Sequence, residues 1–242
     1  MTLKITEVLI LLIVLLSCKM KDEADAIKPV QPMQPVQPAV TATPKPDRES
    51  VRYLALGDSY TIGESVPASD NFPAQLFQAL KDKGTPVSSY KIIARTGWTT
   101  ANLKAAIEAS SYKDTFNLVS LLIGVNNQYQ GKSLEEYKIE FIELANRAIQ
   151  YAGGEKKNVF VVSIPDYGYT PFGKNNQEKI TAELVQFNAV NKQVSDSLGL
   201  TYVNITPISQ RGLAEPDLVA GDGLHPSSKM YKLWVDLILQ DQ

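Results

Sequence analysis

From Val51 onward, short apolar runs alternate with amphipathic stretches, the pattern of strand–helix units that build a parallel sheet. The runs predict strands over Val51 to Leu56, Tyr90 to Ala94, Leu118 to Ile123, Val159 to Ile164 and Thr201 to Ile205. The longer stretches predict helices over Pro73 to Lys83, Thr100 to Ser110, Ser133 to Tyr151, Gln177 to Leu198 and Ser227 to Leu239. Tyr137, Phe141 and Leu144 recur at helical spacing and belong to a core, whereas Glu135, Glu136 and Lys138 make a solvated face. Helix ends are marked as well. Ser133 with Glu136 three residues on forms a capping box, Gly153-Gly154 closes that helix, and Gly199 closes the next. Strands in this rhythm, with helices on both faces, give an α/β fold: a three-layer α/β/α sandwich around a five-stranded parallel sheet.

Before Val51 the pattern is different. Lys4 precedes an apolar run, Val8 to Leu16, too short to span a bilayer but of the length of a signal-peptide core. The run ends in Leu15-Leu16-Ser17-Cys18, which resembles the lipobox of bacterial lipoproteins, where the cysteine is lipidated and becomes the mature amino terminus. Prolines then recur at 29, 32, 35, 38, 44 and 46, too little apolar content to fold and enough proline to stay extended. The expected organisation is a lipoprotein signal peptide over 1–17, a Pro-rich tether over 18–49 from lipidated Cys18, and one catalytic-sized domain over 50–242. No aspartate follows Cys18, so an outer-membrane destination in the cell envelope is expected, with the facing of the leaflet open.

Composition narrows the chemistry. A net charge of −2 with both signs spread along the chain leaves no basic stripe for nucleic acid. Cys18 is the only cysteine and His225 the only histidine, which excludes a disulfide framework and zinc sites built from several His or Cys ligands. No metal and no cofactor is expected. Oligomeric state is not legible.

Polar residues gather at the carboxyl ends of the predicted strands, where open α/β sheets bind ligands. The first strand runs into Gly57-Asp58-Ser59-Tyr60-Thr61, the second into Arg95-Thr96-Gly97-Trp98, the third into Gly124-Val125-Asn126-Asn127, and the fourth into Asp166-Tyr167-Gly168-Tyr169. After the fifth comes Gly221-Asp222-Gly223-Leu224-His225-Pro226. Gly57 is expected to allow a tight turn that exposes Ser59. Serine is a poor nucleophile until a base takes its proton; an imidazole exchanges protons near neutral pH, and Asp222, three residues before His225, can orient its ring. Asn126 offers a side-chain N–H and Gly97 an unshielded backbone N–H, which with the Ser59 amide make a three-donor oxyanion hole. Asn126 also reads as a turn residue, and Asp166 as the cap of the following turn. Trp98, Asn127 and Tyr167 are candidates for substrate contact, although aromatics such as Trp98, Tyr167, Tyr169 and Phe172 in long loops serve equally to cover a sheet.

In order, Gly-Asp-Ser-Tyr, Thr-Gly-Trp, Gly-Val-Asn-Asn and Asp-Gly-Leu-His-Pro resemble the four blocks of the SGNH, or GDSL, hydrolases, over Val51 to the carboxyl terminus. The resemblance implies the flavodoxin-like SGNH hydrolase fold and a serine esterase acting through an acyl-enzyme. Ser59 would be the nucleophile, Asp222 the orienting acid and His225 the base, with Ser59, Gly97 and Asn126 as oxyanion donors. Acetylated carbohydrates, short-chain acyl esters and lysophospholipids are all compatible substrates. Acyl transfer by the same triad, or a glycan-binding module without turnover, stays open beside hydrolysis. Tyr60 stands where the motif has leucine, and Asn127 where aspartate often follows the asparagine.

Overall fold

The first strand, β1 (Val51–Gly57), is an interior strand buried on both faces, with Tyr53, Leu54, Ala55 and Leu56 entirely shielded in the computed structural model, which describes residues 49–110 and 112–240. The expected signal peptide, Cys18 and nearly all of the tether lie outside the described residues. From β1 the chain passes through a short α1 (Ser59–Ile62) and α2 (Phe72–Asp82) to β2 (Val87–Ala94), then α3 (Thr100–Ala109), β3 (Leu118–Leu122), α4 (Val125–Tyr129) and α5 (Leu134–Tyr151). It continues through β4 (Val159–Val162), α6 (Gln177–Leu198), β5 (Thr201–Val203), α7 (Thr206–Ser209) and α8 (Ser228–Ile238).

All five strands are parallel, in the order β2-β1-β3-β4-β5. Right-handed crossovers dictate the layers. The chain moves one way from β1 to β2 and the other way from β2 through β5, so α3, α5 and α6 share one face while α2 packs with α8 on the opposite one. The three-layer α/β/α sandwich is therefore as expected. The reversal also fixes where a ligand site belongs: at the carboxyl ends of β1 and β3, where the connections leave in opposite directions and open a crevice.

Several boundaries differ from the pattern. The strands β4 and β5 each stop two residues short of their apolar runs because side chains take over the ladder. Ser163 Oγ accepts from the N–H groups of Ile205 (2.9 Å) and Thr206 (3.1 Å), and Asn188 brackets Ile164 by accepting from its N–H (2.8 Å) and donating to its carbonyl (2.9 Å). At the other edge β2 begins at Val87, with alternate residues exposed, since an edge strand needs only one apolar face. The expected capping box of α5 is half made: Ser133 Oγ accepts from the Glu136 N–H at 3.1 Å, while the exposed Glu136 carboxylate stays in water. The reciprocal box is at α3, between Thr99 and Asn102. Gly199 closes α6 in the left-handed conformation.

Candidate active site

Gly57 ends β1 with little room around it. A Cβ there would lie 2.4 Å from the Leu122 carbonyl and 2.1 Å from Thr61 Oγ1, so the glycine serves close approach of β1, β3 and α1, and not a left-handed turn. Asp58 caps α1, accepting from the Tyr60 N–H at 3.0 Å. Ser59 is then the first helical residue. Its N–H is one of the unpaired donors of a helix start, and its hydroxyl opens into a cavity of about 200 Å³ that His225 and Asn126 also line.

His225 lies in the loop before α8, held by Asp222. Its Nδ1 is 2.6 Å from Asp222 Oδ2, and its own N–H and that of Leu224 donate to Oδ1 at 3.0 and 2.9 Å. The Ser65 hydroxyl adds a bond to Oδ2 at 2.7 Å. Partial burial pushes the Asp222 carboxyl up, but the bonds from Ser65, the His225 ring and the two backbone N–H groups outweigh it and hold the group well below the usual carboxylate range. An ionised Asp222 places the ring proton on Nδ1 and leaves Nε2 as the acceptor, facing the cavity that Ser59 lines. Among the described residues Ser59 Oγ makes no hydrogen bond, and catalytic hydrogen bonds are often unformed in unliganded sites.

Asn126, in α4, donates from Nδ2 to the Trp98 carbonyl at 3.0 Å. That bond fixes which end of the amide is nitrogen, and the second N–H of the same nitrogen is free. Gly97 has φ 81° in an exposed turn after β2 and its N–H has no partner among the described residues. Donors at Ser59, Gly97 and Asn126 thus leave the ends of β1, β2 and β3, three adjacent strands.

The sequence model of the GDSL-like Lipase/Acylhydrolase family matches residues 55–233. The chain belongs to this family. It is accordingly a carboxylic ester hydrolase. No curated protein matches the chain. Among solved structures, that of TesA superposes with a TM-score of 0.63 at 17% identity, covering 78% of this chain and 97% of that one. Axe2, an acetylxylan esterase from Geobacillus stearothermophilus, has a TM-score of 0.62 at 20% identity over 79% of this chain and 93% of its own. A lipase/acylhydrolase from Enterococcus faecalis has a TM-score of 0.62 at 19% identity over 79% and 94%. At these identities the likeness is one of fold.

Within this GDSL-like hydrolase two of the expected substrate contacts do not line the cavity. Asn127 is buried away from the cavity: its Oδ1 accepts from the Thr100 N–H at 3.0 Å and its Nδ2 donates to Thr100 Oγ1 at 2.6 Å. The Thr100 hydroxyl in turn donates to Glu140, so position 127 both donates and accepts a hydrogen bond, which an ionised aspartate cannot do. Trp98 is half-buried against the core and serves the site through its carbonyl alone. Tyr167 does line the cavity. Asp166 caps its turn, accepting from the Gly168 N–H at 2.9 Å. Tyr60 packs its ring 5.5 Å from the imidazole of His225, so the departure from leucine touches the candidate base directly.

Other contributors were not legible. Tyr129 lines the cavity three residues after Asn126 on α4; helical spacing puts them on one face, but the segment reads as a loop in sequence. The dipeptide Glu64-Ser65 ties the site together, with Glu64 accepting from Thr96 beside Gly97 and Ser65 holding Asp222. Ser65 is the one non-glycine among the described residues with positive φ, 67°, a strained conformation kept where a side chain must be aimed.

Proposed function

We propose that the chain is a serine esterase in which Ser59 attacks the ester carbonyl carbon. His225 Nε2 takes the Ser59 proton and delivers it to the leaving alcohol. The resulting acyl-Ser59 is cleaved by water, whose proton passes to Nε2 and then back to Ser59 Oγ. Asp222 keeps the imidazole in the right tautomer, and the N–H groups of Ser59, Gly97 and Asn126 stabilise the oxyanion. The observation that carries this reading is the 2.6 Å Asp222–His225 pair, which turns an unpartnered Nε2 toward the cavity holding Ser59. That cavity is smaller than the roughly 300–1,000 Å³ of sites for drug-sized ligands, which favours acetyl and other short acyl groups over long chains. The test is hydrolysis of p-nitrophenyl esters from acetyl to decanoyl by the full chain, with labelling by a fluorophosphonate. The expected result is fastest turnover of the acetyl ester and an adduct on Ser59; no turnover together with no adduct defeats the reading.

On the same reading residues 1–17 are removed on export, Cys18 is lipidated, and residues 18–49 tether the domain over 50–242 to the cell envelope, with the outer membrane as destination. The support is the single cysteine at the end of the apolar run and the proline spacing after it. Expression in a bacterial host fed labelled palmitate should label the wild type, and Cys18→Ser should lose both the label and the membrane association. Unchanged labelling in Cys18→Ser would remove the anchor from the proposal.

A further inference from the structure

Next to the cavity that holds Ser59 lies a second hollow of about 390 Å³, and one aromatic wall separates the two. Tyr129, Tyr167 and Phe172 line both, with ring centroids 6.2 to 6.3 Å apart. Tyr129 is 62% exposed and Phe172 53%, large apolar faces left open beside a site. The wall is rigid. The Tyr167 hydroxyl donates to Gln128 Oε1 at 3.0 Å and Gln128 Nε2 donates to Glu183 Oε2 at 2.6 Å. At its other end the Phe172 N–H donates to the Gly223 carbonyl at 3.0 Å, two residues before His225. The wall thus ties the loop that carries His225 to the rim of the second hollow.

The far side of the hollow is polar and electrically balanced. Lys179 Nζ is 3.9 Å from Glu183 Oε1, so the one cation lining the hollow has an anion beside it, a poor arrangement for drawing a phosphate or a free carboxylate. The Asn176 amide has no partner among the described residues, and Lys179 and Glu183 keep unused donors and acceptors. An occupant must lay an apolar face on Tyr129 and Phe172 and present groups that both donate and accept. A sugar ring does both, with C–H faces for the rings and hydroxyls for the rim. A hydrocarbon chain would leave the polar rim unpaired, and a phosphodiester headgroup would find among the lining residues only a cation that already has an anion beside it.

We propose that this hollow binds a sugar unit of the ester's alcohol half, which makes the substrate a short-acyl ester of an oligosaccharide. The inference rests on the esterase reading for the position of the bond cleaved, while the sugar site itself can be tested apart from it. The kinetic test compares a mono-O-acetylated xylo-oligosaccharide with p-nitrophenyl acetate in the full chain, Asn176→Ala and Lys179→Ala. Loss of one hydrogen bond to the sugar should lower the ratio of kcat/KM on the oligosaccharide to that on p-nitrophenyl acetate by about tenfold. The binding test is calorimetric titration of the deacetylated oligosaccharide. Binding by the wild type that weakens in Asn176→Ala supports the site even if no ester is cleaved, in which case only the esterase reading fails. An unchanged ratio with no binding, or faster cleavage of a lysophospholipid than of the acetylated sugar, overturns the proposal.

Discussion

Ser59→Ala and His225→Ala each lower kcat on p-nitrophenyl acetate by about 10⁴- to 10⁶-fold, and the double variant is no worse than either alone, because nucleophile and base act as one unit. Asp222→Asn keeps the shape of the carboxylate but removes the charge that holds the proton on Nδ1, and costs roughly 10⁴-fold. Ser65→Gly relaxes the positive φ and deletes one bond to Asp222, with a loss of about fivefold in kcat and little change in KM. Steady-state kinetics of the series, beside fluorophosphonate labelling, reads all of these. Retention of a tenth of the wild-type rate by Ser59→Ala would remove Ser59 from the mechanism. A Ser65→Gly effect equal to that of Asp222→Asn would mean that the acid loop collapses without its tie.

Unfolding of the wild type by urea becomes easier as pH rises from 4 to 8, and in Asp58→Asn that trend is absent. Asp58 is buried beside the nucleophile. One carboxyl oxygen accepts from the Tyr60 N–H and the other, Oδ2, has no partner. Burial, opposed by the Tyr60 N–H, pushes its pKa up to about 7. A folded-state value above the unfolded one means that the native chain holds a proton the unfolded chain has released. The contribution to stability is therefore complete below the ordinary carboxylate range and falls through the interval up to about 7, by about 4 kcal/mol in all. Asparagine keeps the acceptor for Tyr60 and has no charge to bury. Equal slopes in the two chains would show that Asp58 finds a partner when ionised.

The fold was legible because its signals are local. A strand covered on both faces is apolar at nearly every position, as Val159–Val162 is throughout and Leu118–Leu122 is but for Ser120, which pairs with the Tyr53 hydroxyl, and a helix start is marked by a side-chain cap such as Thr99 or Ser133. Strand ends were less legible, since Ser163 and Asn188 replace ladder bonds with side-chain bonds from distant segments. At the site, Ser59 and the Asp222–His225 pair were visible because each block carries its own spacing. Ser65 was not: its partner is 157 residues away and no local pattern announces a strained serine. The bonds that hold Asn127 away from the cavity were not legible for the same reason, being set by Thr100 and Glu140 on other elements.

The seam between α2 and α8 governs when the protein can become active. Phe72 packs against Tyr231 and Trp234, Gln75 Nε2 donates to the Ser228 carbonyl at 2.9 Å, and Trp234 also covers Tyr60, the residue after Ser59. A ribosome delivers β1 and Ser59 first and α8 last, so a growing chain carries Ser59 without Asp222, His225 or the Trp234 cover for most of synthesis. On the proposed mechanism, hydrolytic power then arrives late, when the last turns of chain dock on the first. A chain cut short ahead of Asp222 would be silent however well its sheet had formed, and cells making it are spared a half-built hydrolase.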